Sequence, residues 1–405
     1  MRETNFKQTE VGSIPISWEA RLISDAFSFV NNNTLAREQI SEIGAIRNIH
    51  YGDILVKYGS ILDIQQDTVP YIKESIRTVA KNPLRDGDIL MADTAEDETV
   101  GKCCEVHNIC GDTAETGLHT FGLRAKEDYA PRFLGYAFNA PLYHNQLLPL
   151  IQGTKVSSVS KTAVSKTYLC CPSSIEEQRK IAQVLSDIDG LISSFTKLIE
   201  KKKNIKTATM QLLLTGKKRL EDFTEPWVEK RIGEIAKISK GQSLQSKDFA
   251  NGHIPVIAGG QTYAGFHNIA NHKETSVTIS ASGAYAGYVW LHEYPIFASD
   301  CSVIEGNDDV DIHFLYNVLK LKQGEIYKSQ TGGAQPHIHP KDIEPIKIVI
   351  PFKNGKPNFD EQRAIGNILT EMDNEISALE QKRAKYENIK KGMMQELLTG
   401  RIRLV

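Results

Sequence analysis

Two stretches of this chain are copies of one another, and that repetition limits the possible architectures more than any other feature of the sequence. Residues 176–220 read EEQRKIAQVLSDIDGLISSFTKLIEKKKNIKTATMQLLLTGKKRL, and residues 360–404 read DEQRAIGNILTEMDNEISALEQKRAKYENIKKGMMQELLTGRIRL. One offset, 361 − 177 = 184, takes Glu177 to Glu361, Leu185 to Leu369, Asp189 to Asp373 and Leu220 to Leu404; 20 of the 45 positions are identical and no gap is needed. In the first copy Ile181, Leu185, Ile188, Ile192, Phe195 and Ile199 recur at three- and four-residue spacing, and in the second Ile365, Leu369, Met372, Ile376 and Leu379 do the same. An apolar stripe of that period, close to a heptad seam, predicts one long helix per copy. Ser174 and Asn358 stand three residues before Glu177 and Glu361 as N-caps, and Gly216 and Gly400 close the copies as C-cap glycines. From residue 175 to 213 such a helix would run about 55–60 Å at 1.5 Å per residue. Its stripe must be buried, and the economical partner is the other copy, giving an intramolecular two-helix coiled coil. The competing arrangement is two ordinary core helices in separate domains.

The segments between the copies are related more weakly. Pro15-Ile16-Ser17-Trp18 corresponds to Pro226-Trp227 with small shifts in spacing. A loop from Gly153 to Lys161 faces a loop from Gly333 to Lys341 at an offset of 333 − 153 = 180, and each runs into a strand-like stretch ending at Pro172 or Pro351. The layout is therefore domain, helix, domain, helix, with expected bounds 1–172, 173–216, 217–351 and 352–405. Inside the first domain 53–57, 88–91 and 119–123 read as strands and 129–148 as a helix. Inside the second, 276–280 and 286–290 read as strands and 311–322 as a helix, with Gly/Ser/Asn-rich turns between them. The expected fold class is α+β, with two similar domains built on twisted β-sheets. A shared frame with divergent middles suggests two modules doing one job on different targets.

Composition narrows the partners. A chain of 405 residues exceeds one ordinary domain. Its formal net charge is −2, whereas a dedicated nonspecific DNA binder is clearly basic. DNA affinity must come from local patches or from a partner. No apolar run approaches the roughly 18 residues that span a bilayer, and MRETNFKQTEVG lacks a signal-peptide core, so a cytoplasmic location is expected. Cys103, Cys104, Cys110, Cys170, Cys171 and Cys301 form no C-x-x-C, which fits reduced, partly buried thiols rather than a disulfide framework or a zinc site.

Taken together, these pieces resemble the specificity subunits of Type I restriction–modification systems. The resemblance rests on Pro15 and Trp18, the Gly153 loop leading to Pro172, and Glu177-Gln178-Arg179 followed by Leu213-Leu214-Thr215-Gly216. In the second half it rests on Pro226-Trp227, Gly332-Gly333 leading to Pro351, and Glu361-Gln362-Arg363 followed by Leu397-Leu398-Thr399-Gly400. It spans essentially the whole chain; the helical repeat carries most of its specificity. The resemblance implies a non-catalytic subunit in which each domain reads one half of a bipartite double-stranded DNA site. It implies an antiparallel helical spacer that fixes the unread gap and docks two DNA adenine methyltransferase subunits, with motor-nuclease restriction subunits as possible further partners. It implies no cofactor in this chain, with S-adenosylmethionine, ATP and Mg2+ on the partner subunits.

Direct reading of the residues finds no catalytic signature. The G-x-x-x-x-G-K-[ST] phosphate loop is missing, as are a cofactor glycine loop and an Asn/Asp-Pro-Pro-aromatic motif. Glu200-Lys201-Lys202 mimics a nuclease motif but lies in the charged stretch of a helix. His337-Ile338-His339 alternates like metal ligands without a recognised spacing, so no metal site is assigned. A self-contained modification enzyme with a cryptic active site, or a protein-binding scaffold, are the alternative functions.

Base reading and phosphate anchoring need basic, hydroxyl, amide and imidazole side chains on exposed loops. In the first domain the candidates are Lys155, Ser157, Ser158, Ser160, Lys161 and Lys166, with Lys73, Arg77, Lys81 and Arg85 as a second set that would equally suit a solvated helix face. In the second they are Gln242, Ser243, Lys247, Gln261, Tyr263, Ser280, Ser282, Tyr285, Gly333, Gln335, His337, His339 and Lys341. Spacer and partner-docking candidates are Glu177, Gln178, Arg179, Leu185, Ile192, Leu213, Glu361, Gln362, Arg363, Leu369, Ile376 and Leu397. The cluster Lys201, Lys202, Lys203 and Lys206 reads as a partner surface or a solvated face.

Overall fold

The computed structural model describes residues 5–153, 155–332 and 335–404, and each repeat copy is a helix of 39 residues, Ile175–Leu213 and Phe359–Leu397. Ser174 Oγ accepts from Glu177 N and Asn358 Oδ1 from Glu361 N, both at 3.4 Å, as N-caps do. Gly216 and Gly400 end the helices at φ 68° and 69°, the left-handed conformation in which glycine suffers no Cβ penalty. The chain divides into two compact units, one of Met1–Ser194 with Arg383–Val405 and the other of Phe195–Lys382. Each unit thus contains one mixed α/β domain and the adjoining ends of both long helices.

Within each unit the helices run antiparallel. In the first, Lys390 Nζ meets Asp189 at 2.6 Å and Arg403 holds Glu177. In the second, Lys206 Nζ meets Asp373 at 2.5 Å and Arg219 Nε meets Glu361 at 2.8 Å. The 184-residue offset converts one set into the other, since 189 + 184 = 373 and 206 + 184 = 390, while 177 + 184 = 361 and 219 + 184 = 403. The apolar ends of the stripes enter the domain cores. Ile181, Leu185, Leu397 and Leu398 pack with Trp18, Phe27, Leu123 and Phe133 in the first unit. Leu213, Leu214, Ile365 and Leu369 pack with Ile232, Val277, Ile304 and Phe314 in the second. The lysines read as a partner surface have another use: Lys202, Lys203 and Lys206 pair with Glu375, Glu380 and Asp373 of the second helix. Sequence spacing alone could not reveal acids 167 or more residues away.

Both domains share one frame. In the first its strands are β1 (Trp18–Leu22), β2 (Phe27–Val30), β3 (Ile89–Ala92), β4 (Cys103–His107), β5 (Thr120–Ala125) and β6 (Tyr168–Pro172). In the second they are β7 (Trp227–Arg231), β8 (Ile238–Lys240), β9 (Ser276–Ser280), β10 (Val289–His292), β11 (Cys301–Glu305) and β12 (Lys347–Lys353). The first sheet runs β2-β5-β3-β4 with antiparallel pairing, extended by the parallel strand Ile61–Asp63; the second runs β8-β11-β9-β10, also antiparallel. A second antiparallel pair, β1 with β6 and β7 with β12, leads each domain into its helix. The central strands are buried along their whole length: β3 reads as an unbroken apolar run, whereas β9, Ser-Val-Thr-Ile-Ser, alternates and buries its hydroxyl-bearing residues as well.

Several local expectations change. Residues 53–57 are not a strand: Tyr51–Val56 is a helix whose Asp53 carboxylate, 0% exposed, is bridged by Arg37 and by Lys57 one turn on. The helix expected over 129–148 is two, Phe133–Phe138 and Pro141–Leu147, because Ala140 precedes a proline and sits at ψ 146°. The strand expected at 286–290 begins only at Val289, after a turn with Gly283 and Gly287 at positive φ. Lys73, Arg77, Lys81 and Arg85 lie in irregular connecting segments rather than on one helix face, and Arg77 is committed to the buried Glu115. Five of the six thiols are buried; burial pushes Cys170, Cys171 and Cys301 up to about 12 and raises Cys103 and Cys104 as well. We expect iodoacetamide to label only the exposed Cys110 in the native protein at neutral pH and all six cysteines after unfolding, read by intact mass.

Candidate nucleic-acid interface

The loops singled out in the sequence occupy the same place in the two frames. In the first unit, Gln152 and Ser158 bridge across the loop through bonds of 2.9 and 2.8 Å, and Ser157–Ser158 pair with Thr94 and Ala95 just beyond β3. In the second unit, Thr331 and His337 bridge at 2.8 and 2.7 Å, and His337 also bridges Ser282 just beyond β9. The register differs by one residue from the expected alignment. Gln152 corresponds to Thr331, Ser158 to His337 and Gly153 to Gly332, an offset of 332 − 153 = 179 rather than 180. Gly153 and Gly332, at φ 106° and 93°, open the two loops, a conformation that a Cβ would strain. Gly333 lies outside the described residues. Each loop feeds a short helix, Lys161–Ser165 or Pro340–Ile343, capped by Ser160 Oγ on Ala163 N and by Asp342 on His339 N.

The candidate side chains sort by what they already touch. Lys155, Ser160 and Lys166 are exposed, and Ser157 and Ser158 are half-buried at the strand pairing. The Lys161 ammonium lies 5.6 and 5.4 Å from the ring centroids of Phe29 and Phe121, so its charge is partly engaged by the sheet surface. In the second unit Gln242, Ser243, Lys247, Gln261, Gln335 and Lys341 are exposed, as are Tyr263 and Tyr285. Tyr263 rests 5.0 Å from the Phe266 ring. Ser280 is buried, its hydroxyl donating to the Gly260 carbonyl, which removes it from the reading surface. His337 and His339 are half-buried with their rings 6.3 Å apart and nearly parallel, a stack rather than a chelate. Among the described residues no group of three His, Cys, Asp or Glu is placed to hold a metal.

Short contacts gather the loops of the second unit. Gly241 N donates to the Cys301 carbonyl and Gln242 N to Ala298, while Leu244 N reaches Ser299 Oγ. Gly283 N donates to Pro336 and Ile338 N to Ala281. Around 242, 260, 282, 300 and 337 the structure therefore forms one loop cluster at one end of the sheet. In the first unit the matching cluster holds Asp93, Thr94, His119 and Ser158, beside His50 and Tyr51. His119 packs against Tyr51 at 5.4 Å, and burial followed by the Arg37 charge lowers the His50 imidazole below its usual range. Asp93, Thr94, His119 and Asp300 are not among the DNA-binding candidates read from the sequence.

The helix candidates also sort. Glu177, Gln178, Glu361 and Gln362 are buried, and they fasten helix to domain instead of facing outward. Gln178 accepts from Ala130 N and donates to Pro172; Gln362 accepts from Asp311 N and donates to Asp309. Leu185, Leu213, Leu369, Ile376 and Leu397 are buried, whereas Ile192 is half-buried. Arg179 and Arg363 are exposed, the latter over the Phe359 ring at 4.7 Å. Among the described residues no helix is long and apolar enough to cross a membrane.

Comparison with known proteins agrees with this geometry. Residues 15–207 and 224–389 each match the family described as Type I restriction modification DNA specificity domain. Over 436 aligned residues the chain is 26% identical to the MjaX specificity-subunit chain of Methanocaldococcus jannaschii, covering 100% of this chain and 98% of the other. The MjaIX specificity subunit of the same organism is 22% identical over 395 residues, 86% of either chain. The fold is similar to the S subunit of a Type-I restriction-modification system from M. genitalium, with a TM-score of 0.64 and 19% identity, covering 98% of this chain and 97% of that one. A chain solved in work on complex assembly and conformational transition of the type I R-M system is similar at a TM-score of 0.54 and 17% identity, covering 96% and 99%.

Proposed function

This chain belongs to the specificity subunits of Type I restriction–modification systems, carrying two DNA specificity domains in tandem, and from that membership we propose how it works. Each unit reads one half of a bipartite site on double-stranded DNA. The paired long helices set the number of unread base pairs between the halves and carry two DNA adenine methyltransferase subunits, to which motor-nuclease subunits add. The chain is the non-catalytic, cytoplasmic reader; S-adenosylmethionine, ATP and Mg2+ belong to its partners.

The single observation that supports this reading most is the recurrence of one loop at one place in two frames. The same bridge, the same left-handed glycine and the same following helix appear twice, while the side chains they carry differ. Two modules of equal build and different lettering suit two different half-sites. Two weak readers joined to one spacer gain affinity through effective concentration only when both engage together. Phosphate anchoring falls to Lys155, Lys166, Lys247 and Lys341, all exposed on the loops or on the short helical turns beside them. The net charge of −2 leaves much of the nonspecific phosphate affinity to partners.

Mapping adenine methylation genome-wide in cells carrying and lacking this chain, with its methyltransferase subunit present in both, tests the proposal. A two-part motif that appears only with the chain is expected; methylation independent of it, or a single uninterrupted motif, contradicts it.

A further inference from the structure

We propose that each unit reads one base pair through an oriented carboxylate at the loop end of its frame, Asp93 in the first and Asp300 in the second. Each would accept a hydrogen bond from the exocyclic amino group of an adenine or cytosine in the major groove. This rests on the DNA-reading function proposed above and deepens it to particular atoms.

The two positions are matched by backbone bonds. Asp93 N donates to the His119 carbonyl at 3.1 Å, and Ala281 N donates to the Asp300 carbonyl at 3.1 Å. Val159 N donates to Asp93 and Ile338 N to Ala281, both at 2.9 Å. Asp93 therefore corresponds to Ala281, Thr94 to Ser282 and His119 to Asp300. The acid has changed strands: it follows β3 in the first unit and precedes β11 in the second. Yet in both it is oriented by the hydroxyl at the same position. Thr94 Oγ1 donates to Asp93 Oδ1 at 2.7 Å, and Ser282 Oγ donates to Asp300 Oδ2. His119 Nδ1 adds a second partner on Asp93 Oδ1 at 3.1 Å. Among the described residues, Asp93 Oδ2 and Asp300 Oδ1 take no hydrogen bond.

Two buried carboxylates of the first unit look different. Asp53 and Glu115 are at most 2% exposed and receive bonds on both oxygens. By contrast the Asp93 side chain is 15% exposed and Asp300 is exposed, and each keeps one oxygen open. An acid beside a phosphate-anchoring loop lowers DNA affinity unless it meets a donor. In the major groove the donors are cytosine N4 and adenine N6, whereas guanine O6 and N7 and thymine O4 are acceptors that a carboxylate repels. The hydroxyl that holds one oxygen fixes where the other points. The acid lies on different strands of the two frames, so the amino-bearing base need not fall at the same step of the two half-sites.

The full chain, co-expressed with its methyltransferase subunit, carries the test, read as the methylated motif. Asp93→Asn is expected to relax one position in one half-motif, the preference there falling about tenfold or more, with the other half intact as an internal control for folding and assembly. Asp300→Asn is expected to relax one position in the opposite half. Thr94→Val and Ser282→Ala, which release the orienting hydroxyls, are expected to relax the same two positions. Lys166→Ala is expected to weaken methylation across all sites with the motif unchanged. An unaltered motif in both Asp variants overturns the inference while leaving the two-reader function standing, as does relaxation of both halves by one variant. A wild-type chain that confers no two-part motif overturns the function itself. For a variant too scarce to map, competition by duplexes changed at the single base pair, measured on purified complex, separates the same outcomes.

Discussion

Glu361→Ala is expected to be among the most damaging single substitutions in the second unit. The Glu361 carboxylate is 0% exposed and receives Arg219 Nε at 2.8 Å, Arg219 Nη2 at 2.9 Å and Trp227 Nε1 at 3.0 Å. It joins the start of one long helix to the tail of the other and to the first strand of the domain. Alanine leaves a guanidinium whose side chain is only 24% exposed without its anion, and an indole N–H without an acceptor. Breaking a buried pair from one side costs about 3–5 kcal/mol, which for a unit of this size lowers its melting temperature by roughly 10 °C or more. Thermal unfolding followed by circular dichroism checks this; a shift of a degree or two contradicts it. Glu177→Ala removes the matching pair with Arg403 but is expected to cost less, since Trp18 Nε1 has no hydrogen-bond partner there to lose. Adding Arg219→Met to Glu361→Ala is expected to recover part of the loss, because the double variant no longer buries an unpaired charge.

The second large effect concerns the spacer. One heptad inserted at matched points of both long helices preserves their stripe, because seven residues return it to nearly the same face. It lengthens the pair by about 10.5 Å, the rise of about three base pairs, over which a duplex with 10–10.5 base pairs per turn rotates by roughly 100°. Two readers set for one phase then no longer engage one site together. Loss of the linkage gain lowers methylation of the native two-part site by about a hundredfold or more, with each half-site still bound singly and weakly. Methylation rates on a plasmid bearing the native site provide the measurement. Unchanged methylation after the insertion would show that the helices do not set the gap.

What could be read ahead of the structure was local or periodic. The helix bounds followed from the stripe together with Ser174, Asn358, Gly216 and Gly400, each of which acts within four residues of its own position. The shared frame was visible in outline, because β3 is an apolar run and β9 an alternation rich in β-branched residues, each bounded by turn residues. Long-range pairing was not visible. Glu177 and Glu361 look like surface acids on a helix, but their arginines, Arg403 and Arg219, lie 226 and 142 residues away. Lys161 looks like one more free cation of its loop, but the fold brings Phe29 and Phe121 within reach of its ammonium. Adjacent glycines at 332 and 333 allowed either alignment with Gly153, and only the Thr331–His337 bridge decides between them. Asp93 and Asp300 are not legible as readers in the sequence, because only the fold shows that each has one carboxylate oxygen committed and one open, which makes it a selective acceptor rather than a general repulsion.

Everything proposed for this chain requires that the two units read independently along one duplex. Replacing residues 1–172 with the corresponding segment of a relative that recognises another site, then mapping methylated adenines in cells, tests it most directly. One half of the motif is expected to change while the other half and the gap between them stay as they were. A change in both halves, or a motif that does not respond to the exchange, contradicts it.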